Sequence, residues 1–192
     1  MDYTKNIEAY LTAEKELLDR LDRGQINAVL NEILAAYRRK GRIYIFGNGG
    51  SASTASHFVN DFNKGISEYT TEKFRFYCLN DNTATVLAVA NDIGYEDIFS
   101  FQLEGRIDKE DLVIGISGSG NSPNVVKALE YAKSRQVRTI SLSGYDGGRA
   151  AKITDVAFVA PVHNMQLVED MHMMLDHLLM TVIYEIWNIP KH

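Results

Sequence analysis

Two short segments of this 192-residue chain set glycine beside hydroxyl and amide side chains, each directly after an apolar run. Gly47-Asn-Gly-Gly-Ser51 follows Arg42-Ile-Tyr-Ile-Phe46, and Ser117-Gly-Ser-Gly-Asn-Ser122 follows Leu112-Val-Ile-Gly-Ile116. Glycine lets the backbone turn tightly or approach a ligand with no side chain in the way. Ser122 suits a helix N-cap and Pro123 a first helical position. Free N–H groups at a helix start, together with the helix dipole, favour a phosphate, and serine hydroxyls add donors without charge. There is no Gly-Lys-Ser/Thr of a P-loop, and Gly47-Asn-Gly-Gly50 lacks dinucleotide spacing. Two such turns, both after strands, read as a site for an anionic ligand rather than as plain turn chemistry.

A second group of residues could move protons or hold a metal. His57 and Asp61 stand four apart on the helix expected after the first loop, so they share a face. Near the other end, Glu169, His172 and His177 lie on one long helical stretch, His177 two turns beyond Glu169 and roughly 80° around the axis. If the two helices meet, these side chains form a metal site or an acid–base pair. If they do not, His57 and Asp61 are a surface pair, and Met171-His-Met-Met-Leu-Asp-His177 is a methionine-rich core helix.

These residues need elements to position them. From residue 42 the chain alternates apolar runs with helical patterns. Strands are expected at 42–46, 74–79, 112–116, 137–142 and 156–159, with helices at 51–62, 82–90 and 122–134. An amphipathic helix from about Gln166 to Trp187 closes the pattern before Pro190. Such alternation predicts an α/β fold with a doubly wound parallel sheet, which binds ligands at the carboxyl ends of its strands. The first forty residues read as two helices broken at Asp22-Arg-Gly24, an N-terminal helical arm over 1–40 preceding one unit over 41–192.

Composition excludes several classes. Apolar residues make up 45% and charged residues 23%, the mixture of a globular protein, and the formal net charge of −5 with no basic cluster argues against nucleic acid as a partner. No uncharged apolar run is long enough for a bilayer, so no membrane partner is expected, and Met1-Asp-Tyr-Thr-Lys-Asn6 lacks the apolar core of a secretion signal. The single cysteine, Cys78, precludes an internal disulfide, fits a reducing cytoplasmic setting, and sits in Arg75-Phe-Tyr-Cys-Leu79 as a buried core thiol.

Asn48-Gly-Gly-Ser51 with His57, Asn91-Asp-Ile-Gly-Tyr95, Ser117-Gly-Ser-Gly-Asn-Ser122, and Glu169-Asp-Met-His172 with His177 follow one another in an order that resembles the phosphoheptose isomerases, over essentially the whole chain. The resemblance implies a five-stranded parallel sugar-isomerase (SIS) fold, and a homotetramer whose active sites are shared at subunit interfaces. It implies conversion of D-sedoheptulose 7-phosphate to D-glycero-D-manno-heptose 7-phosphate, a step toward activated heptose for bacterial surface glycans. By position, Ser117, Gly118, Ser119 and Ser122 would hold the phosphate with Ser51 nearby. Asn48, Gly49, Gly50, Asn91 and Asp92 would contact the sugar. His57, Asp61, Glu169 and His177 would bind zinc or another divalent metal. Asp61 and His177 would be the acid–base pair, with Asp61 and Glu169 also against the substrate.

The chain departs from the family pattern at three places. Asp61 replaces a glutamate, Glu169 replaces a glutamine and adds negative charge favourable to a cation, and Gly65 stands where an arginine is usual, leaving Lys64 as a nearby point charge. Two other readings accompany the isomerase. One is a non-catalytic SIS module similar to the protein that associates with the bacterial replication initiator. The other is an isomerase of a different phosphosugar.

Overall fold

A computed structural model describes residues 1–190. Five parallel strands, β1 (Ile43–Gly47), β2 (Phe76–Cys78), β3 (Leu112–Ser117), β4 (Arg138–Gly144) and β5 (Val156–Ala160), form one sheet in the order β2-β1-β3-β4-β5. Every residue of β1 and β3 is buried, which is why these segments read as continuous apolar runs: a parallel sheet is covered on both faces. The chain winds outward from β1 in both directions, so β1 and β3 are neighbours whose following segments leave toward opposite faces. That switch point is where open parallel sheets form their ligand crevice. Gly47 pairs with Ile116, so the two glycine-rich loops leave the sheet side by side.

Helices cover both faces. α3 (Gly50–Asn60), α1 (Thr4–Arg20), α2 (Arg23–Arg38) and α8 (Met165–Ile186) contribute to one core, in which Phe58, Val29, Ile33, Leu175 and Leu179 pack on Ile45, Ile114 and Leu142. α4 (Thr83–Asp92), α5 (Ser100–Leu103), α6 (Pro123–Ser134) and α7 (Gly148–Ile153) enclose the other around Phe46, Phe99, Val113 and Leu129. The expected break between the first two helices is real. Asp22 caps α2 by accepting from the backbone N–H groups of Gly24 and Gln25. α1 is tied to α8 by the Tyr10 hydroxyl, which donates to Asp170, and buries Leu17 in the core.

The expected strands and long helices are present, with ends shifted by a few residues. The short turn at Tyr95–Asp97 and the helices α5 and α7 had no expectation, because three to six residues are too few to display a helical period. The helix expected over 51–62 passes into a π-helical turn at Asp61–Ile66. Such turns are uncommon and frequently re-aim side chains at sites. Among the described residues no helix is long and apolar enough to cross a membrane.

Candidate active site

The first cluster is a cradle between the two loops. Asn48, Gly49, Gly50, Ser51, Gly118, Ser119, Ser122, Met165 and Glu169 line a cavity of about 270 Å³ at the carboxyl ends of β1 and β3. Neither α3 nor α6 has a side-chain cap bond: Gly49 stands at the N-cap of α3, and Ser122 at that of α6. Ser122 was expected to cap, but its hydroxyl pairs with Ser117 at 3.0 Å. Two helix starts with no N-cap side chain bonded to the first-turn N–H groups, and with glycines and serine hydroxyls between them, suit an anion. Asn48 and Asn124 exchange two amide hydrogen bonds of 2.9 Å, and the Tyr95 hydroxyl donates to Asn48 at 3.1 Å. This pair ties the first loop to the start of α6. Asn124 escaped the sequence reading although it adjoins Ser122 and Pro123, and Tyr95 closes a motif that was singled out but was given no role of its own.

Asn91 and Asp92 do not line the cavity. They are exposed at the end of α4, bonded to each other at 2.7 Å. Glu169 does line it: a Cβ on Gly50 would lie 2.6 Å from a Glu169 carboxylate oxygen, so the missing side chain at 50 is what admits this carboxylate. A larger cavity of about 760 Å³ opens at the opposite end of the sheet beside Arg39, Arg42, Arg75 and Asp111. There Arg42 is already bonded to Asp108 and Asp111, and the amino ends of parallel strands are not where this architecture binds ligands.

The second cluster joins α3 to α8. His57 Nε2 lies 3.1 Å from His177 Nε2, and Asp61 Oδ2 lies 3.5 Å from His57 Nε2 and 3.9 Å from His177 Nε2. The two helices therefore meet, and His57, Asp61 and His177 converge. Glu169 is not part of this group. Its place is taken by Asp176, whose Oδ2 is 4.0 Å from His57 Nε2, and the four residues can each offer one ligand atom within 4.8 Å of all the others. Asp176 is fully buried, and its carboxyl pKa is pushed up to about 8 by burial and then by Asp61. The sequence did carry a signal for it: Asp176 stands four residues after His172 on the apolar face of α8, a core position where an acid is out of place.

His172 goes elsewhere. It is buried beside Phe158, its Nε2 donates to the Ser143 carbonyl at 3.1 Å, and burial lowers its pKa to about 4, so the ring is neutral. Lys64 pairs with Glu68 at 2.6 Å on the surface. At Gly65 a Cβ would lie 2.5 Å from the end of Met180, so α8 packs where a longer side chain would stand. The Cys78 thiol is buried and raised to about 11 chiefly by desolvation, an inert core group.

Comparison with known proteins agrees with this architecture. The family model described as "SIS domain" matches residues 2–144. A phosphoheptose isomerase of Helicobacter pylori strain P12 is 37% identical over 175 residues, covering 91% of this chain and 90% of its own. One from Geobacter sp. strain M21 is 31% identical over 185 residues, covering 93% and 94%. The solved phosphoheptose isomerase of Neisseria gonorrhoeae superposes with a TM-score of 0.87 at 26% identity, over 96% of this chain and all of that one. With a phosphate-type cradle at the switch point and a histidine–carboxylate group beside it, the chain belongs to the phosphoheptose isomerase family of SIS-domain proteins and is a sugar phosphate isomerase.

Proposed function

We propose that this enzyme interconverts D-sedoheptulose 7-phosphate and D-glycero-D-manno-heptose 7-phosphate through an enediol. The observation that carries the reading is the meeting of His57, Asp61 and His177, brought from two helical segments, in a chain whose relatives are named phosphoheptose isomerase. The phosphate binds at Gly118, Ser119, Ser122 and Ser51, which line the cavity at the starts of α3 and α6, with Ser117 joined to Ser122 through its hydroxyl. Asn48, Gly49, Gly50 and Glu169 face the sugar from the same cavity. Asn91 and Asp92, exposed at the end of α4, stand outside this cavity lining.

Isomerisation moves one proton between C1 and C2 and another between their oxygens. Asp61 is the base that takes the carbon-bound proton and returns it to the adjacent carbon. His177 gives and recovers the oxygen-bound proton. The donor set of two imidazoles and nearby carboxylates fits zinc or a similar divalent ion, and an orphaned buried carboxylate beside it supports that fit. A cation held there would supply electrostatic stabilisation of the charge that develops on the sugar oxygens. The active form is a homotetramer with sites at subunit interfaces. The exposed apolar residues Ile7, Leu11 and Leu18 along α1 support an association surface there.

The test is to incubate the protein with sedoheptulose 7-phosphate in heavy water and follow the sugar protons by NMR. An aldose with deuterium at C2 is expected. No product and no exchange, with and without added zinc, would remove this sugar and point to a different phosphosugar.

A further inference from the structure

α8 turns an apolar face to the sheet, and Asp176 interrupts that face. The residue has no exposed surface, and among the described residues neither carboxylate oxygen has a hydrogen-bond partner. An unbonded carboxyl buried in this way is costly whether ionised or protonated, unless something pairs with it. The other deeply buried acid shows what a satisfied one looks like. Asp111 receives the Arg42 guanidinium and the backbone N–H groups of Arg42 and Asp108. Among the described residues no arginine or lysine bonds to Asp176; the groups around it are His57, at 4.0 Å, and Asp61. Its Oδ2 thus lies beside a centre that already gathers His57, Asp61 and His177.

The separations suit a shared cation. Ligands about 2.0–2.1 Å from a tetrahedral zinc stand roughly 3.3 Å from one another. The donor pairs His57–His177, His57–Asp61, His177–Asp61 and His57–Asp176 span 3.1 to 4.0 Å, and all six pairs lie within 4.8 Å, a shell wider than that, which an ion would draw together. Glu169 lies seven residues earlier on α8, about 10 Å along the axis, with its carboxylate against Gly50 in the anion cradle.

We propose that Asp176 is the fourth protein ligand of a divalent-cation centre formed with His57, Asp61 and His177, while Glu169 serves the sugar-phosphate cavity. The inference rests on the metal-assisted reading above and is independent of which sugar is turned over.

The experiment uses the full chain as wild type, Asp176→Asn and Glu169→Gln, each stripped with a chelator and checked for cooperative thermal unfolding. Cobalt(II) is titrated in while the visible d–d absorption is followed, and zinc affinity is read by competition. Wild type and Glu169→Gln are expected to bind one ion per chain with the same spectrum. Asp176→Asn is expected to bind at least tenfold more weakly, with an altered spectrum. Unchanged affinity and spectrum in Asp176→Asn, or loss of binding in Glu169→Gln, would overturn the assignment. Should Asp176→Asn not fold, anomalous diffraction from zinc-soaked wild-type crystals decides it: an ion within about 2.2 Å of an Asp176 oxygen supports the assignment, and an ion beyond reach of it does not. A wild type that binds no cation also overturns it; isomerisation measured in the same chelated sample then reports separately whether the isomerase reading survives.

Discussion

Acidification should weaken the wild-type protein relative to His172→Gln by an amount that follows from one buried ring. His172 is sealed between α8 and β4, and its pKa falls from 6.5 to about 4 because burial penalises the imidazolium, only partly offset by the Ser143 carbonyl. Below about pH 6.5 the unfolded chain takes up a proton that the native ring refuses. The stability associated with neutral His172 is therefore fully present above pH 6.5 and is lost as the pH falls toward 4. At about 1.4 kcal/mol per pH unit the whole interval amounts to roughly 3 kcal/mol, most of it lost by about pH 4.5.

Asp176 acts with the opposite sign. Its pKa is raised from 3.8 to about 8, so its contribution is present at low pH and lost as the pH rises through 8. That contribution is common to wild type and variant and cancels in their difference. Glutamine at 172 retains a donor for Ser143 and does not titrate. Urea unfolding of chelated protein, followed by far-UV circular dichroism between about pH 7.5 and 4.5, gives the two stabilities. The difference, wild type minus variant, should fall by about 2.5 kcal/mol over that range. A difference that stays constant would refute the burial argument.

Three further outcomes are expected. Asp61→Asn and His177→Ala should each lower kcat by roughly 100-fold or more while unfolding cooperatively; a near-normal rate in the sugar assay would remove that residue from its role. Gly120→Ala places a Cβ 2.1 Å from the Gly147 carbonyl oxygen at a φ of +68°, so it should cost more than about 1–2 kcal/mol, seen as a lower Tm and a raised KM. Asn124→Ala breaks the amide pair that ties Asn48 to α6 and should cost about 1–3 kcal/mol, with a raised KM for the phosphosugar; unchanged KM would mean that the pair does not position the first loop.

The alternation of apolar runs with helical periods was enough to specify a parallel α/β sheet, because a strand covered on both faces has no polar side to display. Likewise, glycine and serine directly after two such strands marked the cradle, since turn geometry and helix starts are local properties. Asp22 as a cap and the break at the first helical pair were legible for the same reason. Pairing across 120 residues was not. The sequence placed His57 with Asp61 by helical spacing, but whether His177 joined them depended on how α8 packs on α3.

That packing also chose between acids on α8. Glu169 and Asp176 are two turns apart on nearly one face, and only the tertiary structure put the first against Gly50 and the second beside the histidines. His172, equal to His177 in the sequence, became a neutral core ring beneath the Ser143 carbonyl. Local sequence determines which residues share a helix face. What that face meets is decided by long-range burial, and a side chain's charge, reach and partners follow from the meeting.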